Sequence, residues 1–501
     1  MAVESVAAVD GSSESRAGGP TLKRGAIGLV GVVFMVVAFS APITAMTGNL
    51  PVAVGFGNGL GAPGGFVIAT IVLTIFSVGF VALARHITAA GAFYTFVSQG
   101  WSRIPGLAAG VMSMFTYMTM EAGLIGIFSA FADQAFSTQL NIHLPWELYA
   151  AVCLVVIAVL SHFDISVAAK VLGVVLVCEI TMLTIGAVAS LAHHPDGMSF
   201  TSLNPLTALS TNGVADGVVG LGLLMAFWSW VGFEATAIYG EESKNPKQIV
   251  PRATLIAVIG IGVFYTFISW GAIVGNGPAK AVELAASSDP FELIYAPTRQ
   301  FVGAWGVSVF EWLVLGGSFA CALAIHNSAA RYLFAFGRDR LLWHRLGGAH
   351  HRHASPWIAS LTQSAFAAIL LIVCSVTHND PYAVLFVLVA IVATICLLIV
   401  QTMCSISTIV YFHVKKEHPE TASWWRTLLA PIVGGAGMVY VIYLMASNMA
   451  AAAGSASGTV FFTLIPYIVA VLFFGSMGLA LYLRKAKPDV YARIGSTVFD
   501  D

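Results

Sequence analysis

Charged side chains are what this chain has least of: Asp, Glu, Lys and Arg make up 9% of its 501 residues, while 58% are hydrophobic and the mean hydropathy is +0.86. A soluble domain carries about a quarter charged residues, so the composition excludes a water-soluble globule and describes a chain dissolved in a bilayer. An excess of either sign is missing too. The 23 basic and 24 acidic residues nearly cancel, which removes the basic footprint that DNA or RNA binding requires. The six cysteines (Cys153, Cys178, Cys321, Cys374, Cys396 and Cys404) lie inside apolar runs without CxxC or CxxH spacing. That excludes a disulfide framework and a zinc site and leaves them a packing role. The clustered histidines His344, His350, His351 and His353 are irregularly spaced in a basic loop and read as solvated rather than as metal ligands. Connecting segments are short apart from 275–302 and 337–355, so a soluble catalytic domain has no room to fold. The chain is not expected to be an enzyme, and no metal or cofactor is expected.

What is present is apolar length. Residues 25–84 and 427–483 contain no charged residue, and each stretch is long enough for two helices of about 20 residues. Apolar runs between charged or Gly/Pro/Asn-rich breaks number twelve, near 26–54, 64–84, 107–132, 146–162, 167–192, 215–240, 253–274, 303–336, 356–377, 381–412, 427–447 and 458–483. On that count both termini share a side. Lys and Arg stay cytoplasmic, and with the termini inside, 21 of the 23 basic residues fall there; Lys280 and Arg299, after the seventh run, remain outside. Residues 1–24, rich in Ser, Gly and Ala, read as a disordered cytoplasmic tail, and 485–501 as a second one. Lys23 and Arg24 ahead of an apolar run mimic a signal peptide, but that run is about twice the usual length. A retained first helix and a multi-pass protein of the plasma or inner membrane are expected.

Ionisable residues deep in a span are costly and mark functional positions. Four acids are of this kind: Glu121 midway along the third run, Glu179 midway along the fifth, Glu234 near the middle of the sixth and Glu311 in the outer third of the eighth, with no Lys or Arg at comparable depth. Desolvation favours the neutral carboxyl, which suits proton carriage or recognition of a cationic group. A protonated carboxyl bonded to a neighbouring helix is the competing reading, most of all at Glu311, which is closest to water. On the third run Gly110, Met114, Tyr117, Glu121, Leu124 and Phe128 share one helical face, with Tyr117 one turn from Glu121.

Two runs are interrupted. In the sixth, Met225–Glu234 crowds aromatics around Gly232 and ends on the acid. In the first, Ser40-Ala41-Pro42-Ile43-Thr44 contains a proline that removes an amide donor and biases Ala41 away from helical geometry. The first and sixth runs are five apart, the spacing of a five-helix inverted repeat with discontinuous helices around a midplane site. This divides the chain into repeats at 25–192 and 215–412, with peripheral helices eleven and twelve at 424–484.

With these features the sequence resembles the amino acid, polyamine and organocation permease superfamily. The resemblance rests on Trp228-Ser229-Trp230-Val231-Gly232-Phe233-Glu234, followed by Gly240-Glu241-Glu242-Ser243-Lys244-Asn245-Pro246-Lys247 and Pro251-Arg252-Ala253. Supporting matches are Ala90-Gly91-Ala92-Phe93-Tyr94 and Asn327, Arg331, Gly337, Arg338 and Asp339. The chain departs from the family where Ser-Ala-Pro-Ile-Thr replaces a Gly-rich break and where Arg340 and Trp343 replace a Gly and a Pro. A third departure is Glu179, at or beside a position where many amino acid permeases carry a lysine in place of a sodium ion.

The resemblance implies an all-α integral membrane protein of twelve transmembrane helices, with a leucine-transporter-type inverted repeat plus two C-terminal helices. It implies a secondary active transporter of a small amino acid or amine, working by alternating access in the lipid bilayer. The half-helix beginning near Ile43 would offer free N–H groups to a substrate carboxylate, and carbonyls freed near Ser40 and Trp230 would accept its ammonium. Ser40, Ala41, Pro42, Ile43 and Thr44 would thus line the site with Phe227, Trp230, Gly232, Phe233 and Glu234, while Tyr117 and Glu121 would read the substrate side chain. Glu179 and Glu234 are the candidates for carrying the coupling proton. Sodium is disfavoured because Ser318 and Ser328, the hydroxyls of span eight between 318 and 328, lie too far apart to cluster. The alternatives are a polyamine or amine permease, an amino acid exchanger and, from another class, an ion channel or receptor-like membrane protein.

Overall fold

The computed structural model describes residues 25, 27–87, 91–162, 165–193, 197–240, 243–350, 355–447 and 449–496. The expectations for residues 1–24, Ala90, Glu241, Glu242, His351, His353 and residues 497–501 fall outside the described residues.

A backbone without water must satisfy its amides internally, and the described elements are accordingly helices and helical turns; β pairing is confined to isolated bridges at Ile27–Ser243 and Gly59–Asn212. Among the described residues ten helices are long and apolar enough to cross a bilayer: Leu29–Phe56, Ala62–Ala84, Arg103–Leu140, Gly173–His193, Pro246–Asn276, Ala304–Arg338, Trp357–Val376, Pro381–Val414, Trp424–Ser447 and Val460–Ala486. Two shorter apolar helices, Trp146–His162 and Val219–Trp228, stand at the fourth and sixth runs. The second of these spans only about 15 Å at about 1.5 Å per residue, because it stops at the interruption. Numbered by run, spans three (Arg103–Leu140) and eight (Ala304–Arg338) are the longest helices and pack along each other.

Segments that read as plain connections hold structure of their own. Residues 275–302 contain the helices Pro278–Ala285 and Glu292–Phe301, and a helix at Phe93–Gly100 stands between spans two and three. The reason is amphipathic patterning, which a search for apolar runs passes over. Large apolar side chains are exposed around the bundle, among them Val152, Val155 and Val159 on span four and Ile369, Ile372 and Val376 on span nine, as a surface facing lipid requires.

Both interruptions are real breaks. The first helix ends at Ser40, Ala41 takes a left-handed conformation (φ 41°), and a turn at Pro42–Thr44 leads into a widened π segment, Ala45–Asn49, before Leu50–Phe56. Pro51 has no N–H to give the Thr47 carbonyl, and the wide turns take up that loss. In span six the chain after Trp228 tightens into three-residue turns, with Trp230 N–H to Phe227 O (3.1 Å), Val231 N–H to Trp228 O (3.1 Å) and Ala235 N–H to Gly232 O (2.9 Å). Gly232 sits at φ 111°, and a Cβ there would fall 1.8 Å from Phe39 Cδ1. Glycine is therefore required twice over, for its backbone angle and for the close approach of span one. The two breaks are tied together where Asn49 Nδ2 donates to Ser229 Oγ (2.9 Å).

Candidate substrate and proton site at the helix breaks

Between the breaks lies a cavity of about 30 Å³, room for about one water. It is lined by Phe39, Ser40, Ala41, Thr44, Ala45 and Asn49 of span one, Met120 and Leu124 of span three, and Trp228, Ser229 and Val231 of span six; Cys321, Ile325 and Phe386 close it. Thr44 Oγ1 and Asn49 Oδ1 are buried and make no hydrogen bond among the described residues. Carbonyls freed by the first break are engaged by neighbours: Cys321 Sγ lies 2.9 Å from Phe39 O and Tyr265 OH donates to Ser40 O (2.8 Å), while the Glu179 carboxylate lies beside Ile43. Glu179 is itself buried against span eight, where a Cβ on Gly317 would lie 2.5 Å from its Oε1.

The expected site residues divide into three groups. Ser40, Ala41 and Thr44 line the cavity, and Pro42 and Ile43 form the half-helix turn beside it. Gly232 makes the second break, and Glu234 is held there by Tyr117 OH (2.5 Å) and by the Gly232 N–H (3.1 Å). Phe227, Trp230 and Phe233, expected to cover the substrate, are not in the lining of this cavity. Trp230 gives its Nε1–H to Val258 O (3.2 Å) and packs on Phe66 and Tyr265, while Phe233 packs on Phe76 and Phe80. The tight turns after Trp228 rotate the chain relative to a regular helix, so Trp228 and Val231 take the places on the cavity wall. Tyr117 stacks on Tyr332 and meets Phe39 edge-on, so it supports the wall from behind.

Glu121 also departs from expectation. It turns away from the cavity to His326 and Gln363, so one buried acid does have a basic partner. The sequence signal is a histidine deep in span eight, which a tally of Lys and Arg at that depth passes over. Asn49, Ser229 and Gln363 were equally visible as polar residues in apolar runs. Glu311 accepts from Thr138 Oγ1 (3.0 Å) and Gln139 Nε2 (2.6 Å) near the end of span three, the structural role expected of it. The Ser318 and Ser328 hydroxyls each bond a carbonyl of their own helix.

The family model for amino acid permeases matches residues 27–473. The branched-chain amino acid permease of Bacillus subtilis is 21% identical over 401 residues, 76% of this chain and 79% of that one. The low-affinity putrescine importer of Escherichia coli is 22% identical over 315 residues, 62% and 66% of the two chains. The serine/threonine exchanger of Bacillus subtilis is 23% identical over 310 residues, 60% and 65%. In overall fold the chain is similar to the crystal structure of the Eremococcus coleocola manganese transporter, with a TM-score of 0.57, 11% identity and coverage of 92% and 95%. Two broken apolar helices, the length of the match and relatives that are all transporters agree: the chain is a multi-pass membrane transporter, not an enzyme, and belongs to the amino acid permease family of the amino acid, polyamine and organocation superfamily.

Proposed function

We propose that the protein is a secondary active transporter that moves an amino acid together with a proton by alternating access. The observation that carries this reading is the cavity common to both breaks, with Thr44 Oγ1 and Asn49 Oδ1, unpartnered among the described residues, and with the half-helix turn at Ile43 and the Glu179 carboxylate beside it. The positive end of that turn suits a substrate carboxylate. A substrate carboxylate and Glu179 share it only if one of them carries a proton, because two charges so close cannot both persist in an apolar site. Substrate and proton binding are then linked. A cavity of about 30 Å³ must open to admit an amino acid. In this reading the repeats at 25–192 and 215–412 rock against each other across the breaks, with 424–484 peripheral and both termini cytoplasmic in a twelve-helix chain.

A polyamine or amine substrate is the second reading, favoured by the putrescine importer among the relatives. A diamine lacks a carboxylate for the half-helix and needs acids of the protein instead. Among the described residues no acid is in the cavity wall: Glu121 is turned to His326, Glu234 to Tyr117, and Glu179, the one acid left for an amine, stands beside the half-helix turn rather than in the lining. The zwitterion is therefore preferred. Reconstituted protein in liposomes, offered radiolabelled leucine, valine, serine, threonine and putrescine with and without an imposed pH gradient, tests both points. Accumulation of an amino acid that requires the gradient is expected. Uptake of putrescine alone overturns the substrate reading, and amino acid accumulation indifferent to the gradient overturns the coupling.

A further inference from the structure

Behind the cavity, spans three, eight and nine (Trp357–Val376) meet in a polar cluster that the transport reading does not use. Glu121, His326 and Gln363 are 0% exposed and Ser360 is 6% exposed. His326 Nδ1 lies 3.0 Å from both carboxylate oxygens of Glu121, and His326 Nε2 lies 2.7 Å from Ser360 Oγ. Gln363 Nε2 donates to Glu121 Oε2 (2.6 Å) and to Met118 O (3.0 Å). We propose that Glu121 and His326 form a buried proton-binding site, separate from Glu179, which takes up and releases one proton as a pair.

The hydrogen-bond accounting carries the proposal. With the proton bound, both ring nitrogens of His326 are donors, Nδ1–H to Glu121 and Nε2–H to Ser360 Oγ. With it released, Nδ1–H still donates to the carboxylate, and the bare Nε2 accepts the Ser360 hydroxyl, which has only to rotate. Gln363 donates to Glu121 in both states. A buried polar group ordinarily loses a bond when its charge changes, at considerable cost. Here one proton comes and goes with every bond kept. The protonated pair is neutral overall, and the released state leaves one negative charge held by two N–H donors. From span four the Cys153 thiol faces Glu121; on the pair's own helices Tyr117, one turn from Glu121, is bonded to Glu234, and Arg331, farther along span eight, lies over the Tyr239 ring at 4.6 Å. The pair is also coupled to the substrate region, because Met120 and Leu124 flank Glu121, Ile325 adjoins His326, and all three line the cavity. That this proton accompanies substrate rests on the transport reading above; that the pair binds a proton does not.

The purified protein, in lipid nanodiscs without substrate, is titrated from about pH 8.5 to 5, the range in which histidine exchanges its proton, while bound protons are counted with an indicator dye. Glu121→Gln leaves a lone buried imidazole that desolvation holds neutral, and His326→Gln a lone buried carboxyl that desolvation holds protonated, so each is expected to bind about one proton fewer than the parent, and the double variant also about one fewer. Ser360→Ala, which keeps both groups, is expected to move the midpoint of that step by about half a pH unit or more, the worth of one buried hydrogen bond. Single-variant curves that superimpose on the parental one overturn the proposal and leave the cluster as a helix clamp; a loss of two protons in the double variant overturns the pairing. Should the Glu121 and His326 variants fail to fold, an unmoved midpoint in Ser360→Ala overturns it alone. Leucine uptake by the parent in liposomes separates the two readings: if uptake ignores the pH gradient while the titration step stands, the transport reading fails and the proton site survives.

Discussion

Glu179 and Gly232 carry the most consequence per residue. Glu179 lies beside the Ile43 turn whose N–H groups a substrate carboxylate would use, so Glu179→Gln, an amide that cannot release a proton, should keep substrate exchange but lose accumulation driven by a pH gradient. Flux assays in the two modes on the same vesicles check this, and full accumulation by the variant would move the coupling role elsewhere. At Gly232, even a methyl group meets Phe39 at 1.8 Å with the backbone at φ 111°. Strain of roughly 1–3 kcal/mol is expected, so Gly232→Ala should reach the membrane yet transport at under about a tenth of the parental rate, an effect of over 1.4 kcal/mol on the barrier. Parental uptake would show that the second break is not the binding element. Outside the spans, His86 stacks on His418 with ring centroids 4.1 Å apart, and burial, then the neighbouring His418, lowers its pKa from 6.5. A histidine with its folded pKa below the unfolded one binds protons better when unfolded. Its folded contact is thus unpenalised above about pH 6.5 and weakens as pH falls below that value. The melting temperature of His86→Gln should drop less between about pH 7.5 and 5.5 than that of the parent.

At the scale of elements, the two breaks act as one unit because Asn49 from the first donates to Ser229 from the second, and Ser229 donates on to Met225 O (2.7 Å). Ser229→Ala strands a buried amide, at a cost of about 1–3 kcal/mol. Removing both partners in Asn49→Leu with Ser229→Ala should cost less than the two single changes added, and the difference is the coupling between the broken helices. Thermal denaturation of the four proteins in one detergent measures it. A coupling of zero would mean that the breaks are positioned by backbone packing alone. The same logic explains why the second break needs few carbonyl partners: its three-residue turns satisfy the chain locally, whereas the first break depends on Tyr265 and Cys321 from other helices.

For the whole molecule, the distribution of basic residues sets the expected orientation. Single cysteines introduced at Lys244 and Lys280 of a cysteine-free background should label differently: position 280 with an impermeant reagent on intact cells, position 244 only after permeabilisation. Labelling of position 244 on intact cells overturns the orientation and with it the inward direction of proton-driven uptake. The cavity at the breaks is small in this conformation, so on the proposed reading it must open before an amino acid can pass. The long spans three and eight pack along each other and carry the Glu121–His326 pair between them.

The membrane setting, the approximate place of most spans and both breaks were legible in the sequence because each is a local property: apolar length, a proline after Ala41, a glycine among aromatics. Glu179 and Glu234 stood out for the same reason, as acids in runs without charge. The tertiary structure alone decided which faces meet. His326 comes to Glu121 from 205 positions away and Ser229 to Asn49 from 180, separations that no local pattern encodes. In a soluble helix, polarity marks the outer face, but in lipid both faces are apolar and hydrophobicity no longer tells the interior from the exterior. The rotation of each helix about its own axis is then set by packing and by buried polar contacts. Packing therefore made Trp228 a cavity wall, turned Trp230 to the Val258 carbonyl, and gave Glu121 a histidine rather than the cavity to face.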